Sequence, residues 1–172
     1  MHNEDELIFV NTPTRNRANK FSFTDDQTKA YNGLIKFINE PYNPKDFKRA
    51  LIGAGGTGKT FLLKALLQDC NIPFSEIGLS APSHKACRVL RNSIRGTHCN
   101  VNTIQSDFGF KPNYDIEKFD INNVTFASYG RIKIEDYRLY IVDESSMLNR
   151  SLVTYIDKMM KKYSIKLILC GK

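Results

Sequence analysis

At 172 residues the chain is long enough for one domain with its own core, and 41% hydrophobic with 25% charged residues is the balance of a globular fold. No apolar run approaches the roughly 20 residues of a membrane-crossing helix, and the opening MHNEDELIFV lacks the basic-then-apolar layout of a secretory leader, so a cytoplasmic location is expected. The formal charge of +7 leans toward a polyanionic partner, while Cys70, Cys87, Cys99 and Cys170 lack zinc-site spacing and are expected to be reduced, mostly buried thiols.

Residues 1–22 end in the polar, basic run NTPTRNRANK and read as a flexible extension holding one short strand at 7–10. The globular part is expected over 23–172. It opens with FTDDQTKAYNGLIKFINEP, where Thr24 is an N-cap, Ala30, Leu34, Phe37 and Ile38 recur at helical spacing, and Pro41 closes the helix. A short strand, ALIG, then runs into a glycine loop, and KTFLLKALLQDC continues as a helix. FSEIGLS reads as a strand, with a helix over about 83–93. After an irregular stretch come the strand RLYIVDE, the helix RSLVTYIDKMMKKY and a last strand, IKLILC. Alternating strands and helices imply parallel strands with right-handed crossovers, hence an α/β parallel sheet covered on both faces. Residues 108–136 break the rhythm and are rich in aromatics; they read as a small inserted subdomain, because a compact sheet rarely carries so long a plain loop. Core packing is the expected role of Phe108, Phe110 and Tyr114, with base stacking as the alternative.

The glycine loop is GAGGTGKT, Gly53 to Thr60, a G-x-x-x-x-G-K-[ST] pattern between a strand and a helix. Gly55, Gly56 and Gly58 let successive amides turn toward phosphate oxygens, and the following helix presents the positive end of its dipole to the same anion. Gly53, Ala54, Gly55, Gly56, Thr57, Gly58, Lys59, Thr60 and Phe61 are the expected nucleotide-binding run. Within it Lys59 reaches the β- and γ-phosphates and the Thr60 hydroxyl ligates Mg2+. The strand LYIVDE delivers Asp143 and Glu144 to its carboxyl end, where open α/β sheets bind ligands. Asp143 is the second expected metal ligand and Glu144 the general base that polarises the attacking water. Gln27 admits two readings: it completes a T-x-x-Q capping box with Thr24, or its amide, with both a donor and an acceptor, reads adenine.

With these residues in place, the chain resembles the first RecA-like motor domain of superfamily 1 DNA helicases, in the RecD-like and Dda-like branch. The likeness spans most of the chain. Gln27 matches the family's adenine-reading glutamine, GAGGTGKT its motif I, and Ala81-Pro82-Ser83-His84-Lys85-Ala86 its motif Ia. Thr103-Ile104-Gln105-Ser106 is similar to its T-I-H-S segment, with Gln105 in the place of histidine, and Val142-Asp143-Glu144-Ser145-Ser146-Met147 matches motif II. The resemblance implies an ATP hydrolase that uses Mg2+ and binds single-stranded DNA through Pro82, Ser83, His84, Lys85, Thr103 and Ser106. It also implies that the 108–136 excursion falls where the family inserts its strand-separating pin. Where the family continues with G-D-x-x-Q, this sequence has Gly171-Lys172 and stops. The expectation is therefore a fragment or split half that needs a second RecA-like domain, and by itself hydrolyses ATP poorly. The alternative is a phage-like accessory module, acting in a host cytoplasm, that binds nucleotide and DNA with little turnover. A small-metabolite kinase would explain the glycine loop but neither the Asp-Glu pair nor the Pro82–Lys85 run.

Overall fold

The computed structural model describes residues 7–9 and 21–172. The rest of the expected N-terminal extension, including Val10 at the end of its expected strand, lies outside the described residues. Strands β1 (Leu7–Phe9), β2 (Lys48–Ile52), β3 (Ile77–Ala81), β4 (Asn100–Thr103), β5 (Leu139–Val142) and β6 (Lys166–Gly171) form one six-stranded sheet in the order β1-β2-β6-β5-β3-β4. Every pairing is parallel.

The side-chain period of two explains why both faces are covered. Along β5, Leu139 and Ile141 enter one apolar cluster, while Tyr140 and Val142 enter the other. Along β6, Ile168 and Cys170 take the first face and Leu167 the second. The first face is closed by α1 (Asp25–Asn39), α2 (Lys59–Asp69) and α3 (His84–Ser93). The second is closed by α4 (Ile104–Asp107), by a run of short helical turns that includes α5 (Val124–Ala127), and by α6 (Arg150–Tyr163).

The expected first helix forms as the pattern predicts, with Ala30, Leu34, Phe37 and Ile38 as its buried residues. Its carboxyl end is held from below: the Lys166 ammonium donates to the carbonyls of Phe37 (2.6 Å), Ile38 (2.8 Å) and Glu40. Those acceptors are the unpaired carbonyls of a helix end, which a cation suits.

Two elements differ from expectation. Phe74–Glu76 is a 3-10 turn and the strand begins only at Ile77. Pro73 starts that turn, and the Glu76 N–H donates to its carbonyl (2.9 Å). The strand β4 lies within what reads as an irregular stretch. Its residues are Asn100-Val101-Asn102-Thr103, and its place at the sheet edge comes from backbone pairing with β3 rather than from apolar side chains. Residues 108–136 share the second core: Phe108, Phe110, Ile116, Phe119, Ala127 and Ile134 pack with Tyr140, Val142, Leu152 and Ile156. Asn149, the N-cap of α6, donates to the carbonyls of Glu117 (2.8 Å) and Phe119 (3.0 Å), tying the excursion to that helix. All four cysteines are free, with Cys87 and Cys170 buried and Cys70 and Cys99 half-buried. Among the described residues no helix is long and apolar enough to cross a membrane.

Candidate nucleotide site and the groove beside it

The P-loop leaves the carboxyl end of β2. The Gly53 N–H donates to the Gly171 carbonyl at the end of β6 (3.2 Å), which anchors the loop to the central sheet. Inside the loop the Thr57 hydroxyl (2.9 Å) and N–H (3.4 Å) both donate to the Ala54 carbonyl. Gly58 has φ +82°, a left-handed conformation that opens α2. A Cβ added to Gly55 or Gly56 would meet nothing within 4 Å, so the cradle is open.

The ends of α1 and α2 differ in a way that bears on ligand chemistry. The first turn of α1 has a capping box and two acidic residues, Asp25 and Asp26. The first turn of α2 has no side-chain cap and no acidic residue. Its free amides and dipole therefore remain available to an external anion, as a triphosphate requires. Lys59 lies across the loop, its ammonium donating to the carbonyls of Gly53 (2.5 Å) and Ala54 (3.0 Å). Phe61 is 42% exposed and packs edge-on against Phe21 (5.3 Å) and Phe23 (5.6 Å), giving an apolar shelf beside Thr60.

Asp143 and Glu144 follow β5. The Asp143 N–H continues the ladder to the Ser80 carbonyl on β3 (2.9 Å), and the Asp143 carboxylate accepts from the Glu144 N–H (2.9 Å). Glu144 has φ 53° and ψ 36°, a left-handed backbone uncommon outside glycine, and its side chain is exposed. The chain there turns sharply out of the strand into the Ser145–Met147 turn. That turn packs on the end of β6: a Cβ on Gly171 would approach the Ser145 hydroxyl to 3.1 Å. Burial pushes the Cys170 thiol far up; the Asp143 carboxylate adds to the rise and Lys59 opposes it. Lys59 and Asp143, far apart in sequence, thus act on one buried sulfur and belong to one neighbourhood.

A groove of about 640 Å³ opens at the carboxyl ends of β3 and β4. Of the six residues expected to touch DNA, Pro82, Ser83, His84, Thr103 and Ser106 line it, whereas Lys85 does not. Two of those hydroxyls also cap helices: Ser83 accepts from the Ala86 N–H (3.1 Å), and Thr103 accepts from the Ser106 N–H (3.2 Å). The opposite wall comes from the excursion, with Phe110, Tyr114, Tyr129, Arg131 and Lys133. Lys133 donates to the Ser106 hydroxyl across the groove (2.8 Å). Phe108 and Phe110 are buried in the core, as packing predicts, while Tyr129 is 74% exposed and Phe126 68% exposed.

Beneath the groove lies a group that the sequence reading missed. Asp107 is fully buried; its carboxylate accepts from the Asn102 amide (2.9 Å) and the Tyr140 hydroxyl (2.8 Å). Burial pushes this carboxyl up to about 6, against the pull of those two donors and of Lys133. A lone aspartate ahead of Phe108-Gly109-Phe110 was the available signal. Tyr129, Arg131 and Lys133 carried none, because nothing in their spacing places them opposite Ser106.

A phosphate loop between a parallel strand and an uncapped helix, with an acidic pair ending a nearby strand of the same sheet, defines a RecA-like P-loop nucleotide-binding domain. Residues 36–172 match the AAA domain family, and the chain belongs to it. The chain is also similar to "Uncharacterized protein R530" of Acanthamoeba polyphaga mimivirus, 27% identical over 167 residues that cover 87% of this chain and 32% of that protein. It therefore spans about a third of the length of that curated relative.

Proposed function

We propose that the chain is the ATP-hydrolysing motor domain of a superfamily 1-type DNA helicase, with Mg-ATP held at the P-loop and single-stranded DNA in the adjoining groove. One observation carries the reading. The nucleotide site and the groove lie on the same carboxyl edge, and the bond from the Asp143 N–H to the Ser80 carbonyl joins the acidic pair to the strand that delivers Pro82 and Ser83. A change at the acidic pair then has a short, stiff route to the groove.

The roles follow from the geometry. The P-loop amides and Lys59 bind the phosphates; Lys59 exchanges its loop carbonyls for phosphate oxygens, a stronger charge-assisted bond. Thr60 and Asp143 are the residues that would hold Mg2+, which neutralises phosphate charge when bound. Glu144, turned out of the strand and exposed, is the base that orients the attacking water. In the groove, Ser83 and the start of α3 suit backbone phosphates, Arg131 and Lys133 add positive charge, and His84 and Tyr129 offer rings to bases. Ala54, Gly55, Gly56 and Glu144 are exposed. In this reading a second RecA-like domain, from further sequence or from another chain, closes over them and supplies a charge-stabilising arginine. Without it, turnover is expected to fall by about 10³–10⁵ and unwinding to be absent.

The test is ATP binding and turnover with and without oligo-dT, for the parent chain beside Lys59→Ala and Glu144→Gln. The reading expects DNA-stimulated turnover in the parent, loss of nucleotide binding in Lys59→Ala, and retained binding without turnover in Glu144→Gln. Oligo-dT that neither binds nor alters turnover would refute the motor reading. Turnover equal in parent and Glu144→Gln would leave a nucleotide-binding module in its place.

A further inference from the structure

Gln27 has its side-chain amide engaged at both ends. The oxygen accepts from the Thr24 N–H (3.1 Å), and the Thr24 hydroxyl accepts in turn from the Gln27 N–H (3.0 Å), which completes the capping box of α1. The nitrogen donates to the carbonyl of Thr57, inside the phosphate loop (2.8 Å). The next loop residue is so close that a Cβ on Gly58 would stand 2.6 Å from that nitrogen. One side chain therefore locks the capped start of a helix to the turn of the P-loop.

To read adenine, a glutamine presents its oxygen to the base amino group and its nitrogen to a ring acceptor. Both atoms would have to leave their present partners. Thr24 and Thr57 are only 5% and 8% exposed, so water could not replace the lost bonds. Each buried group left unpaired costs roughly 5–150-fold in affinity, whereas each hydrogen bond gained to a base returns about 2–13-fold. The exchange is unfavourable. The remaining neighbour for a base, Phe61 with Phe21 and Phe23, is an apolar shelf, and stacking on rings tolerates every base.

We propose that Gln27 is a positioning residue, a strut that sets the phosphate loop against the start of α1, and that the site selects nucleoside triphosphates by their phosphates rather than by adenine. This rests on the reading of the P-loop as the nucleotide site and deepens it.

Gln27→Glu separates the two bonds. Glutamate at this position of a capping box still accepts from the Thr24 N–H, but it has no donor for Thr57. The uncharged Gln27→Met removes both bonds and controls for the added charge. Affinities of the full chain for ATP, GTP and inorganic tripolyphosphate, with magnesium in excess, are measured by calorimetry beside thermal melts. The parent is expected to bind ATP and GTP within about threefold of each other. Gln27→Glu and Gln27→Met are expected to weaken all three ligands by a common factor of roughly 2–13. Thr24→Ala, which removes the hydroxyl cap and keeps the strut, should lower the melting temperature without a matching loss of affinity. Two results would overturn the strut alone: a parent preference for ATP over GTP beyond about tenfold, which needs no variant, or a loss in Gln27→Glu confined to ATP. A parent that binds none of the three ligands would instead overturn the nucleotide-site reading, and the strut with it.

Discussion

A single methyl group on Gly109 probes how the groove wall is built. Gly109 lies under the 129–131 segment, and its carbonyl accepts from the N–H groups of Tyr129 (2.8 Å) and Gly130 (2.9 Å). Its φ is +65°, and a Cβ would run into the Gly130 carbonyl, standing 2.8 Å from its carbon and 3.0 Å from the Arg131 oxygen. These are backbone atoms, which cannot swing aside as a side-chain tip can. Left-handed alanine costs roughly 1–2 kcal/mol, and overpacking against a fixed neighbour adds roughly 1–3 kcal/mol. Gly109→Ala should therefore lose about 2–5 kcal/mol, which in a domain of this size lowers the melting temperature by about 4–20 °C. Gly55→Ala is the control, because its Cβ meets nothing within 4 Å; its stability should stay within about 0.5 kcal/mol of the parent. The assay is a thermal melt of parent and both variants, followed by oligo-dT and nucleotide binding at a temperature where all are folded. Gly109→Ala should weaken oligo-dT binding and spare nucleotide binding, since only the groove wall is displaced. A Gly109→Ala chain that melts with the parent refutes the crowding argument, and equal losses for DNA and nucleotide refute the local one.

Glu144→Gly should relieve the left-handed backbone at φ 53° and raise stability by up to about 1 kcal/mol while abolishing ATP turnover; a lower melting temperature would show that no strain is stored there. Asp107 titrates at about 6 in the fold against 3.8 as an ordinary aspartate, so the folded chain binds more protons between those values. Stability then falls as pH rises from about 4 to 6 and is level above, a cost of about 3 kcal/mol, and Asp107→Asn should flatten that slope in melts taken from pH 4 to 7.5. Parallel parent and variant curves would refute it. Lys133→Ala should weaken oligo-dT binding and lower the slope of log affinity against log salt by about 0.7, as expected for one lost contact to single-stranded phosphate. An unchanged slope would place Lys133 outside the DNA path.

Much of this protein was legible without coordinates because its signals are local. The buried face of α1, the P-loop with its uncapped helix, and the acidic pair ending β5 each depend on residues a few positions apart, and backbone periodicity alone brings those together. The Thr24–Gln27 capping box is of the same kind. What needed the tertiary structure involves partners distant in sequence. Asn100–Thr103 is a strand because β3 offers it a ladder, not because its side chains ask for one. Lys166 is buried against the carbonyls that end α1, and Asp107 against Tyr140 on β5. Lys133 faces Ser106 only because Gly109 lets one backbone segment cross closely over another. Gln27 shows both sides: its oxygen obeys a rule of helix ends, while its nitrogen meets Thr57 only because α1 packs beside the loop. A short-range pattern names a residue's possible partners, and only the packed sheet decides which of them it finds.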